Sequence, residues 1–75
     1  MRELRTYGIY QPPSGLRPVY AVPADDGYYL YDMEHGERLP PRFEVKPDGR
    51  VESWHGDPVG WSADELGDTG ETFNP

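Results

Sequence analysis

The apolar positions of this chain come in short bursts, and clusters of Pro, Gly and Asp separate them. Gln11-Pro12-Pro13-Ser14-Gly15 divides Arg5–Tyr10 from Leu16–Val22, and Pro23-Ala24-Asp25-Asp26-Gly27 divides that segment from Tyr28–Asp32. Lys46-Pro47-Asp48-Gly49-Arg50 divides Arg42–Val45 from Val51–Trp54. Each breaker carries reversal chemistry: Pro presets φ, Asp bonds its own backbone, and Gly takes φ > 0. The bursts are rich in Tyr, Val, Phe, Trp and Ile, which favour strands. The pattern predicts a mainly β fold, a small antiparallel meander of four to five short strands curling toward a partly open, SH3-like barrel.

The 42–54 segment fixes its own register. Pro47-Asp48 suits the centre of a type I turn and Gly49 the left-handed position after it. Val45 then faces Val51 and Phe43 faces Ser53. Phe43, Val45 and Val51 share one surface, and Glu44 and Glu52 share the other. Glu44 opposite Glu52 is a like-charge pair that Arg42, Lys46 or Arg50 can relieve from diagonal positions. Tyr28-Tyr29-Leu30-Tyr31 is apolar on both faces, which suits a central strand covered on each side, or one face buried and one face in an interface. Pro18 marks an edge or a bulge.

One helical turn is expected near residues 62–67. Ser62 with Glu65 forms a capping box and Gly67 terminates it. So short a turn must dock through Trp61 and Leu66. Residues 1–66 then read as one small β domain and residues 67–75 as an acidic C-terminal tail, pinned by Phe73.

Composition narrows the class. Seventy-five residues hold nine Gly, nine Pro, no Cys and ten aromatics, six of them Tyr. The strictly apolar-or-aromatic runs stop at four residues, where a membrane span needs about 20, and no secretory signal follows Met1. Neither a disulfide nor a thiolate metal site is available. The cytoplasm is the expected compartment. One Gln, one Asn and no Cys fit a heat-adapted bacterial source, and GC-rich coding gives the same bias.

The net charge is −7 and it is uneven: residues 1–20 carry +2 and the remainder −9. Nucleic acid and anionic membrane are therefore not expected partners. A protein partner is: a second copy, or a chain with a basic or proline-containing segment.

Chemistry-bearing motifs are few. Asp68-Thr69-Gly70 matches the aspartic-protease tripeptide, but neither the apolar strand before it nor a small apolar residue after it is present. His35-Gly36-Glu37 and His55-Gly56-Asp57 pair imidazole with carboxylate, as a metal-dependent hydrolase would require, yet turn composition explains both. Ser14, Ser53 and Ser62 have turn, strand and cap roles, and nothing forms a triad or a phosphate loop. No catalytic residue, metal ligand or cofactor is assigned.

Leu30-Tyr31-Asp32 resembles the Ala-Leu-Tyr-Asp segment of SH3 domains, and Glu34 and Glu37 follow it as an acidic loop. The resemblance covers three residues. Trp54 and Trp61 stand seven apart rather than as the paired Trp of that family. It implies an aromatic groove that grips an extended Arg- or Pro-containing peptide.

The rings exceed what one thin core requires, so the expected function is a non-enzymatic protein-interaction module or homo-oligomer. It would use an aromatic face with an acidic rim, with Tyr28, Tyr29, Tyr31, Trp54 and Trp61 as contact residues. The alternative is an acidic decoy that imitates nucleic acid before a basic protein, with carboxylates in two rows. A His/carboxylate metal-dependent hydrolase is the more distant one.

Overall fold

The computed structural model describes residues 4–74. Seven antiparallel strands form one sheet that curls into a half-barrel. They are β1 (Gly8–Gln11), β2 (Val19–Ala24), β3 (Gly27–Asp32), β4 (Phe43–Val45), β5 (Arg50–Ser53), β6 (Pro58–Ser62) and β7 (Gly67–Thr72). Their spatial order is β6-β5-β4-β3-β2-β1-β7. The expected meander is thus present with two or three more strands than the pattern showed.

The 43–53 hairpin has the expected register: Phe43 opposes Ser53, Glu44 opposes Glu52 and Val45 opposes Val51. Gly49 lies at φ +92°, and its N–H donates to the Lys46 carbonyl at 2.9 Å. β3 is central, paired with β2 on one side and β4 on the other.

Gly27 departs from expectation. Pro23 and Ala24 continue β2, which pairs through to Ala24 opposite Gly27, so the reversal is only Asp25-Asp26. Gly27 is not among the residues at positive φ. Its requirement is room, because a Cβ there would stand 2.0 Å from the Val45 carbonyl oxygen.

Period-two alternation gives the sheet an inner and an outer face. Tyr10, Val19, Ala21, Leu30, Phe43, Val45 and Val51 meet Leu4, Ala63 and Leu66 in one inner core. Tyr28, Val59 and Trp61 pack at its margin. The expected helical turn is a 3-10 turn over Ala63–Glu65, where the Glu65 carboxylate accepts from the Ser62 N–H at 2.8 Å. It carries the chain from edge strand β6 to edge strand β7. Ala63 and Leu66 plug the open side of the curl, 1% and 0% exposed, and the Ala63 N–H donates to the Gly49 carbonyl at 2.8 Å.

Residues 67–72 are a strand rather than a tail. β7 pairs antiparallel with β1, Gly8 opposite Thr72 and Gln11 opposite Gly67, across a bulge. All six of its residues are exposed, so no hydrophobic alternation exists to announce it. Backbone ladder bonds, the Thr69 hydroxyl donating to the Ile9 carbonyl at 2.8 Å, and the Arg5–Asp68 pair at 2.6 Å hold it. Among the described residues no helix is long and apolar enough to cross a membrane.

Leu66→Ala opens a cavity in the plug and is expected to cost about 2–5 kcal/mol. Leu39→Ala, at a side chain half exposed in the β3–β4 connection, is expected to cost about 0.5 kcal/mol or less. Urea unfolding midpoints for the two variants check this. A separate expectation concerns space between β3 and β4. Gly27→Ala should lower stability by about 1–3 kcal/mol, which a thermal scan resolves as a shift of about 4–8 °C per kcal/mol.

Candidate binding site

The outer face divides into an aromatic half and a charged half, and strand register sets the boundary. Ile9 on β1 opposes Tyr20 on β2, Tyr20 opposes Tyr31 on β3, and Val22 opposes Tyr29. Beyond β3 the row of Val22 and Tyr29 turns acidic: Tyr29 opposes Glu44 on β4, and Glu44 opposes Glu52 on β5.

The rings form a continuous ladder. Tyr20 stacks on Tyr31 with centroids 5.7 Å apart, and Tyr31 meets Tyr29 edge-on at 6.4 Å. At the other end Phe73, just beyond β7, lies on Tyr20 at 4.2 Å and 20° from parallel. Its N–H donates to the Tyr7 carbonyl at 2.8 Å. Under this cover Tyr20 is 1% exposed. Burial, then the Glu37 carboxylate, push the phenols of Tyr20 and Tyr31 up from the usual 10.0.

The acids beside the ladder hold a cation. Lys46 Nζ lies 3.2 Å from a Glu44 oxygen and 3.9 Å from one of Glu52, which is the diagonal relief expected for the facing glutamates. The hydrogen bond to Glu44 and the charge of Glu44, with Glu52 adding to it, raise the ammonium above its usual 10.5. Two glutamates thus share one ammonium on this half of the face.

A hollow lies at each end of the strip. One, of about 280 Å³, is lined by Tyr20, Phe73, Met33 and the loop from Glu34 to Arg38. That loop holds a 3-10 turn at Gly36–Arg38. Gly36, at φ +59°, brings it over the Tyr20 hydroxyl, where a Cβ would stand 3.4 Å from the oxygen. The other hollow, of about 580 Å³, includes Arg50, Glu52, Pro58, Gly60, Trp61 and Glu65. It follows from a bulge: Arg50 pairs with Ser62 and Glu52 with Pro58, which leaves two surplus residues on β6. Gly60 takes φ +86° there and faces empty space.

Asp32 anchors the loop over Tyr20. Its Oδ1 accepts the Glu34 N–H at 2.6 Å, and its Oδ2 lies 3.4 Å from Arg42. Burial pushes its carboxyl up, but the backbone N–H groups of Glu34 and His35 and the charge of Arg42 outweigh this and hold it below the ordinary 3.8.

The five expected contact residues do not share one face. Tyr29 and Tyr31 stand on the outer ladder. Tyr28 belongs to the inner margin, its hydroxyl donating to the Leu4 carbonyl at 3.0 Å, because neighbours in a strand point oppositely. Trp61 packs edge-on against Phe43 of the core at 5.2 Å and lines the larger hollow. Trp54, 49% exposed, sits in the β5–β6 hairpin loop. Tyr20, Phe73, Glu44 and Glu52 are the members the contact list omitted.

The other motifs lie elsewhere. Asp68 and Thr69 are on exposed β7, and Asp68 is ion-paired with Arg5. His35 precedes the 3-10 turn at Gly36–Arg38, and His55 is in the β5–β6 hairpin loop. Among the described residues no group of three or more His, Cys, Asp or Glu is placed to hold a metal ion.

No protein-family model, no curated protein and no solved structure matches the chain.

The Asp32 geometry sets an acid response. A carboxyl whose folded value lies below its unfolded one stabilises the fold above the unfolded value, and that contribution disappears as pH falls through the folded value. Asp32→Asn should therefore cost about 1–3 kcal/mol at pH 7. The gap to wild type should close as pH drops from about 4 toward 2. Thermal midpoints of both proteins across that range are the check, and a gap constant with pH would contradict it.

Proposed function

We propose that the protein is a non-enzymatic binding module whose outer face receives an extended, arginine- and proline-containing segment of another protein. One observation carries this: the Tyr20–Tyr31–Tyr29 ring ladder ends at Tyr29, which stands directly across from Glu44 and, one strand further, Glu52. A proline or the aliphatic part of an arginine lies on a tyrosine ring, and a guanidinium stacks on that ring while bonding a carboxylate one strand away. An extended segment presents such groups without the entropy loss of a flexible chain when proline stiffens it.

The other readings find less support. In a symmetric contact between two copies through this face, each copy's cation there, Lys46, is already paired with its own Glu44 and Glu52, so facing glutamates would gain no unpaired cation from it. The decoy reading needs rows of unrelieved carboxylates. Here Arg5, Arg17, Arg42, Lys46 and Arg50 each lie within 4 Å of an acid, so cations interleave with the acids. The hydrolase reading has no metal-holding cluster to rest on.

Fluorescence anisotropy of a labelled Arg-Pro-Pro repeat peptide tests the proposal. Saturable binding is expected, weakening with added salt and lost when Ala replaces each Arg in the probe. Joint Glu44→Gln and Glu52→Gln should weaken binding about two- to tenfold, and Tyr29→Ala about two- to fivefold. Lys46→Met removes the resident cation and should tighten it. Equal binding of the Arg-free probe, or no saturation by either, would overturn the assignment.

A further inference from the structure

Phe73 touches the ladder in a way the fold does not require. The inner core is complete without it, and the strand that carries it, β7, buries none of its own residues. Yet its ring lies almost flat on Tyr20, the first ring of the ladder that runs through Tyr31 to Tyr29, the residue across from Glu44. It also forms one wall of the 280 Å³ hollow, whose remaining wall bears the polar side chains of Glu34, His35, Glu37 and Arg38. What lies on Tyr20 is therefore the side chain of the residue that follows β7. Its N–H donates to the Tyr7 carbonyl at 2.8 Å.

We propose that Phe73 is an internal ligand, occupying on Tyr20 a subsite that accepts an aromatic side chain of the partner segment. This rests on the binding reading above and deepens it: the partner carries an aromatic residue at one end of its arginine-containing stretch. Offset-parallel stacking needs a flat ring at about the separation seen here, which selects an aromatic group over an aliphatic one. The acidic wall of the hollow, Glu34 and Glu37, suits the same positively charged segment. Glu34 already binds Arg17 at 2.6 Å, as Glu44 binds Lys46. Exchange needs only the Phe73 ring to leave Tyr20, because β7 keeps its own anchors, Asp68 on Arg5 and Thr69 on the Ile9 carbonyl.

The test compares two labelled Arg-Pro-Pro probes, one ending in Phe and one in Ala, on wild type and on Phe73→Ala. Removing the internal ring should tighten the Phe-ended probe about three- to tenfold and leave the Ala-ended probe within twofold. Phe73→Leu keeps an apolar cap on Tyr20. It guards against a folding defect in the Ala variant and should shift the ratio in the same direction by less. If the probes bind but their affinity ratio is the same in wild type and both variants, the subsite is overturned while the binding face stands. If neither probe binds any of the proteins, both are overturned.

Discussion

A curled sheet has two faces, and a chain of 75 residues has apolar side chains to complete only one. Small domains bury a modest share of their surface, so every large apolar side chain is in demand. The inner face takes the aliphatic residues together with Tyr10 and Phe43 and is sealed by Ala63 and Leu66. The outer face is left with Ile9, Val22, amphipathic rings and charges. Tyrosine suits such a surface, because its ring packs on its neighbour while its hydroxyl reaches water. The division of labour that makes the fold possible thus also builds the row of rings and carboxylates.

The charges are arranged under the same constraint. Acids outnumber basic residues two to one, and each of the paired cations is placed where acids would otherwise face one another or where a loop must be held. Lys46 separates Glu44 from Glu52, Arg42 braces Asp32, and Arg5 fastens β7 through Asp68. These pairs lie at partly buried positions near the surface, where single ion pairs contribute modestly. Their effect is positional: they decide which carboxylates remain side by side on the outer face.

Legibility in the sequence followed burial. The 43–53 hairpin could be read residue by residue because its turn chemistry and its alternation agree, and β3 announced itself as central by being apolar on both sides. β6 and β7 carried no such mark. Edge strands bury little: Pro58–Ser62 alternates only through the half-buried Val59 and Trp61, and Gly67–Thr72 shows neither alternation nor an apolar run, so their positions come from backbone pairing. The contact residues were half legible for a related reason. Composition pointed to the Tyr28–Tyr31 run but cannot tell odd from even positions, so Tyr28 was grouped with rings on the opposite face. Tyr20 becomes visible only when the reversal before β3 is recognised as the two residues Asp25-Asp26, which places it across from Tyr31. Phe73 depends on a strand that no pattern reveals.

Two of the groups on this face, the Lys46 ammonium and the Phe73 ring, are chemically what a partner would bring. Their presence alters the energetics of association. A partner that adds a cation and a ring to an empty face gains both contacts in full, whereas here it gains only the difference between its groups and the resident ones. On the proposed reading, binding would be an exchange: modest in affinity, and sensitive to salt through the carboxylates. Selectivity arises from the same arrangement. A segment offering only charge displaces one resident, and a segment offering charge and ring at the spacing of the row displaces both. The cost of leaving either site unfilled during the exchange penalises partial matches. A surface that is satisfied when alone also resists indiscriminate association, which an exposed run of tyrosines beside an open sheet edge would otherwise invite.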